Sequence, residues 1–166
     1  SLTKAYVLQA DLASKKTEKL IELMHAPFRY AGGIQVSTPY VAIGIEDNFA
    51  KTSSKLCLYN YDNKNLHNAR PSMIIDRKGE PKHKTAGSVG LLALANGHLM
   101  VVSNWQSKNW DFYLVSAVNS TQKVLGSFSA PDDWASYQSI NLVMDKEAIY
   151  VLGFYQKELT GYADLI

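Results

Sequence analysis

The chain has 166 residues, 46% hydrophobic and 19% charged, a balance that fits one globular domain with a sizeable core and excludes disorder and a coiled coil. Its 17 Lys and Arg against 15 Asp and Glu leave a formal charge of +2, too little to attract nucleic acid or an acidic membrane surface. The apolar run from Gly90 to Val102 is broken by Asn96, Gly97 and His98, and it falls short of the ~20 residues that a membrane-spanning helix needs.

The sequence opens on Ser1-Leu2 without a Met, which reads as a cloning remnant with any export signal left off. The first long stretch, "KAYVLQADLASKKTEKLIELM", predicts two strands around a turn; helix-period patterning is scarce, and Ser14 to His25 reads as turn and strand. From Tyr30 a unit begins that recurs. A first apolar run, "GIQVS", meets the break Thr38-Pro39 and a second run, "YVAIGI"; a polar loop leads to "SKLCLYNYD" and then "SMIIDR". Aligning Ala31-Gly32-Gly33-Ile34 with Ala86-Gly87-Ser88-Val89 gives a period of 55, and Gln138-Ser139-Ile140-Asn141 follows 51 residues after Gly87. In the second copy the runs are "SVGLLAL", "LMVVSN", "NWDFYLVSA" and "KVLGSF", with Asn96-Gly97 as the hairpin turn. In the third they are "SINLVM", "IYVLGF" and "GYADLI", with the turn at Asp145-Lys146-Glu147.

The second runs are nearly continuous Val, Ile and Leu, which predicts strands covered on both faces. Four antiparallel strands per unit at a period near fifty predict an all-β, β-propeller-like fold of about three four-stranded blades. The repeats span about 25–79, 80–129 and 130–166 of one domain over 1–166, with 3–24 as the outer strands of a split blade. Three blades do not close a ring, so either the chain is a fragment or a homo-oligomer completes the ring. Ile34, Val41, Ile43, Leu91, Val101, Ile140 and Val151 are the expected core, and Gly32, Gly33, Gly87 and Gly90 are expected where first strands approach closely. Cys57, the single cysteine, lies in a strand-like run as a small buried thiol with no base beside it.

His25, Gly32-Gly33-Ile34-Gln35, "AGSVG", Tyr137-Gln138-Ser139-Ile140-Asn141, "IYVLGF" and "GYADLI" together resemble a group of uncharacterised bacterial β-propeller proteins. The resemblance covers most of the chain and implies a larger parent protein, secreted or periplasmic, but no reaction. The paired glycines follow "HAPFRYA" instead of standing beside His25, so the resemblance assigns His25 no role.

In such a fold the loops from fourth to first strands and from second to third strands share one face. Here they hold His25, Arg29, Tyr30, Glu46, Asp47, His83, Lys84, Asn104, Trp105, Asp132, Asp133, Trp134, Tyr137 and Gln138. Aromatic rings beside amides and carboxylates stack on and hydrogen-bond a small polar ligand or a protein partner. Trp105, Trp134, Tyr137, Gln138 and the first-strand Gln35 are therefore the candidate ligand-binding residues. No catalytic residue is assigned: Asp132 and Asp133 are adjacent on an extended chain and point apart. No metal site or cofactor is expected, since histidines 25, 67, 83 and 98 form no i, i+4 pair and "DNKNLHN" puts Lys64 where a calcium loop needs an oxygen ligand. The expected function is a non-enzymatic binding module; the alternative is part of a channel-type propeller hydrolase or lyase, with Gln35, Gln138 and Asn141 completed by further blades.

Overall fold

The computed structural model describes residues 4–62, 65–66 and 70–166; the readings of Lys64 and His67 lie outside them. β1 (Lys4–Asp11) and β2 (Lys16–His25) form sheet 1. Sheet 2 runs β3 (Phe28–Ser37), β4 (Tyr40–Asp47), β5 (Ser53–Asp62), with the short β6 (Asn65–Leu66) and then β7 (Met73–Lys78) both paired to β5. Sheet 3 runs β8 (Ser88–Leu94), β9 (Gly97–Ser103), β10 (Asn109–Ser116), β11 (Thr121–Ser129). Sheet 4 holds β12 (Ser139–Asp145), β13 (Ala148–Lys157) and β14 (Thr160–Leu165). All strand pairs are antiparallel, and the described residues contain no α-helix, only one 3-10 turn at Trp105–Ser107.

Hairpin turns set this order. Gly97, at φ 139°, closes the β8–β9 hairpin with a backbone that other residues rarely adopt. Lys146 makes the same kind of reversal between β12 and β13.

Faces then decide packing. On β4, Val41, Ile43 and Ile45 turn toward Ala5 and Leu23 of sheet 1, while Ala42 turns toward Val89 and Leu91 of sheet 3. On β9, Met100 and Val102 face sheet 2, and Val101 joins Trp110, Ile140 and Leu142 between sheets 3 and 4. Each fully buried Leu, Ile or Val contributes roughly 1.5–3 kcal/mol.

The first strands β3, β8 and β12 lie against one another. A Cβ on Gly33 would stand 2.6 Å from the Ser88 backbone carbon, and one on Gly90 2.8 Å from Leu142 Cγ, so only glycine permits these approaches. Gln35 ties the three strands together. Its Oε1 accepts the Leu91 and Leu142 amides, both at 2.8 Å, and its Nε2 donates to the Leu142 carbonyl at 2.9 Å.

Sheets 2 and 3 are also joined by charge. Arg77 on β7 donates to Asp111 on β10 at 2.5 Å, with both side chains buried, and Lys84 and Ser127 add bonds at 3.0 and 2.6 Å. Burial opposes ionisation of Asp111, but these donors prevail and hold its carboxyl down at about 2.

Val41, Ile43, Leu91, Val101 and Ile140 are buried as expected. Ile34 is not: it is 44% exposed, although Phe28 and Ala31 earlier on β3 pack with Ala5 and Leu23 of sheet 1. Val151 is half-buried, and Gly153 is the one residue of β13 that is buried, so this second run is not covered on both faces.

Candidate functional site

At one end of the sheets, the start of β3, the loops leaving β4 and β9 and those entering β8 and β12 surround a cleft of about 440 Å³. Its lining includes Tyr30, Glu46, Asn104, Trp105, Tyr137 and Gln138. Of the candidate residues, Trp105, Tyr137 and Gln138 thus come together there.

Each wall is held from behind. Asp47 accepts the Phe49 and Ala50 amides at 3.0 and 3.1 Å, turning the chain so that Asn48 borders the cleft. Asn104 spends its side chain on the loop itself, donating to the Lys82 carbonyl at 2.9 Å and accepting the Asn109 amide at 2.8 Å. The Trp105 amide donates to Thr85 Oγ1 at 2.5 Å, and its ring carries the Lys51 ammonium 3.7 Å from its centroid and that of Lys82 at 4.9 Å. Gln106 and Ser107 follow in the left-handed region, at φ 67° and 54°. Ser107 Oγ then bridges to Tyr137, accepting its amide at 3.0 Å and donating to its carbonyl at 3.2 Å.

Glu46 is the charged group of the cleft, and it is only 2% exposed. One carboxylate oxygen accepts the Ala86 amide at 2.8 Å. Loss of water nevertheless dominates: burial raises its pKa above the ordinary carboxylate value, although the Ala86 bond and the charges of Lys51 and Arg77 pull it down.

Tyr137 forms a wall more than a contact. It is 5% exposed, its ring meets Trp110 and Tyr155 edge-on, and its hydroxyl donates to Asp164 at 2.8 Å. Gly153 leaves the space for that ring, since a Cβ there would stand 2.5 Å from it. The remaining two candidates lie elsewhere. Trp134 packs edge-on against Trp110, with centroids 6.0 Å apart, and borders a second, more open cleft with Asp133, Tyr155 and Asp164. Gln35 sits among the first strands, its amide oxygen accepting two backbone amides and its nitrogen donating to one carbonyl.

Asn48, Gln106 and Ser136 are lining residues that sequence reading did not single out. Polar residues in loops carry no periodicity, and two non-glycine residues in left-handed backbone leave no mark in residue type. Glu46 did carry a signal, as a carboxylate continuing the unbroken apolar run of β4.

Cys57 is fully buried, and burial pushes its thiol up to about 12, far from a thiolate. Among the described residues, no group of three or more His, Cys, Asp and Glu side chains is placed to hold a metal ion, and no helix is long and apolar enough to cross a membrane. Comparison with protein-family models and with curated proteins gave no match to this chain.

Proposed function

We propose that this chain is a non-enzymatic binding module of β-propeller type and that the cleft between the β4, β9 and β12 loops takes a small polar ligand. The observation that carries the reading is the convergence of Trp105, Gln138, Glu46 and Tyr30 from three sheets on one cleft of about 440 Å³, within the size range of small-molecule sites. Indole and phenol rings offer flat apolar surface, while the carboxyl and amide groups orient hydroxyl or amide groups of a sugar or short peptide. The propeller reading draws support from successive sheets packed face to face, first strands meeting through glycine, and loops of matching rank gathered at one end. A hydrolase or lyase channel would need Gln35 free, whereas its amide is spent on Leu91 and Leu142.

Tryptophan fluorescence titration against a panel of mono- and disaccharides and short peptides tests the reading. A saturable change that disappears in Trp105→Ala and weakens at least tenfold in Glu46→Gln supports the cleft. A saturable change that both variants retain at wild-type affinity places binding elsewhere and defeats it.

A further inference from the structure

One packing joint is made twice inside this chain and is left half-made at each outer side. In the joint, the first two strands of one sheet lay their later face on the first strand of the next sheet. Between sheets 2 and 3 the paired residues Gln35 and Ala42 lie over Leu91 and Val89: Gln35 takes the Leu91 amide, and Ala42 shares a core cluster with both residues. Between sheets 3 and 4 the paired residues Gly90 and Val101 lie over Ile140 and Leu142. The covered residues are almost without exposure: Val89, Leu91 and Ile140 at 0%, Leu142 at 2%.

Register identifies the matching positions at the outer sides. Ile34 pairs with Ile43 as Val89 pairs with Val102 and Ile140 with Gly153, so Ile34 and Val36 are the first-strand residues of sheet 2 that this joint should cover. They are instead 44% and 46% exposed. On sheet 4, Asn141 pairs with Leu152 where the covering sheets have Gln35 with Ala42 and Gly90 with Val101. That covering face also presents Val143 and Phe154, 37% and 39% exposed, and among the described residues nothing lies on it.

A second feature says what kind of element is wanted over Ile34. The β1–β2 hairpin repeats the form of β10–β11, with a four-residue turn whose last residue is left-handed: Lys15 at φ 55° and Ser120 at φ 51°. β10 is paired on both edges, by β9 and β11, while among the described residues β1 is paired only by β2. Sheet 1 packs on β4 and β5 and on β3 near Phe28 and Ala31, and it leaves exposed Ile34 and Val36 further along β3, the first-strand positions that a first-and-second-strand pair covers in the other two joints. β12 and β13 are such a pair with an open covering face.

We propose that a second copy of this chain supplies it: the outer face of sheet 4 in one copy, with Val143, Leu152 and Phe154, packs on Ile34 and Val36 of the other, and reciprocally. Two heterologous contacts related by a twofold axis close on themselves and give a dimer, not a fibre. Both faces are apolar patches of the kind that a lone chain leaves in water at a cost. β14 holds the edge of β13 that would meet β1, so the dimer rests on the faces, with no new ladder required. The inference is independent of what the cleft binds.

Light scattering after size exclusion at micromolar concentration tests it, using the whole chain. The expected species has twice the 18.5 kDa chain mass and dissociates on dilution. Ile34→Glu and Phe154→Lys, both at exposed positions and checked for an unchanged melting profile, should each run at the single-chain mass. Mixed in equal amounts they should recover the dimer, because one joint is then unaltered and the other brings opposite charges together. A wild-type chain at 18.5 kDa, variants that stay dimeric, or a mixture that stays at the single-chain mass would each overturn the proposal.

Discussion

β4 and β13 are both second strands written in nearly unbroken apolar residues, "YVAIGIED" and "AIYVLGFYQK". Every residue of β4 after Tyr40 is buried, including Glu46 and Asp47; of β13 only Gly153 is. β4 has sheet 1 on one face and sheet 3 on the other, whereas β13 has sheet 3 on one face and an open second face. An apolar run therefore records that a strand can be covered on both sides. Whether it is covered depends on its place in the stack.

The sharpest way to break that comparison is to attack a tie inside the covered stack and its counterpart at the margin. Asp111→Ala leaves Arg77 buried without its carboxylate and should cost about 3–5 kcal/mol. Lys4→Ala removes an exposed ion pair to Glu22 on sheet 1 and should leave the unfolding midpoint nearly unchanged. Urea unfolding gives both values, and equal losses would mean that the interior tie is no stronger than the marginal one.

Two isoleucines sharpen the contrast on the strands themselves. Ile43→Ala on β4 should destabilise by about 2–5 kcal/mol, since Ile43 is 2% exposed, while Ile149→Ala on β13, at 40% exposure, should lose less than about half as much. Gly33→Ala should cost roughly 1–3 kcal/mol, because its Cβ would press on the backbone of Ser88 and Val89 and force β3 away from β8. Gly161→Ala, at a position with open space around it, should change the midpoint little.

Smaller effects come from pH, and their signs differ. The Asp111 carboxyl, held down at about 2, contributes stability that is present above its ordinary value of 3.8 and is lost as pH falls from there toward 2. Burial lowers the pKa of His98, whose imidazole lies edge-on to Tyr40, so its neutral form contributes stability above pH 6.5 that is lost as pH falls through the lowered value. Glu46 runs the other way: its raised pKa contributes stability on the acid side that is lost as pH rises through it. Melting temperatures of His98→Gln and Glu46→Gln against wild type across pH 4 to 7 should therefore shift in opposite directions with pH; parallel curves would contradict these assignments.

Sequence reading reached the strands and turns because their signals are local: Asn96-Gly97 marks a hairpin by backbone preference, and "YVAIGI" marks a covered strand by composition. It also brought Trp105, Tyr137 and Gln138 to one face from loop rank alone. It misread what depends on neighbours. Ile34 has the residue type of a core position but lacks a covering sheet, and Gln35 looks like a polar channel residue until three backbone groups of neighbouring strands come within 2.9 Å of its amide. Trp134 was placed by its loop, yet Trp110 and Phe128 draw its ring into the sheet 3 to sheet 4 packing.

Amide hydrogen exchange followed by mass spectrometry at two protein concentrations tests most directly whether the stack's two open faces are complementary. Protection should rise with concentration in segments 28–37 and 139–157, which carry Ile34 and Phe154, and stay constant in 97–103, where β9 is already enclosed by sheets 2 and 4. Identical exchange at both concentrations in all three segments, or a concentration effect confined to 97–103, would contradict it.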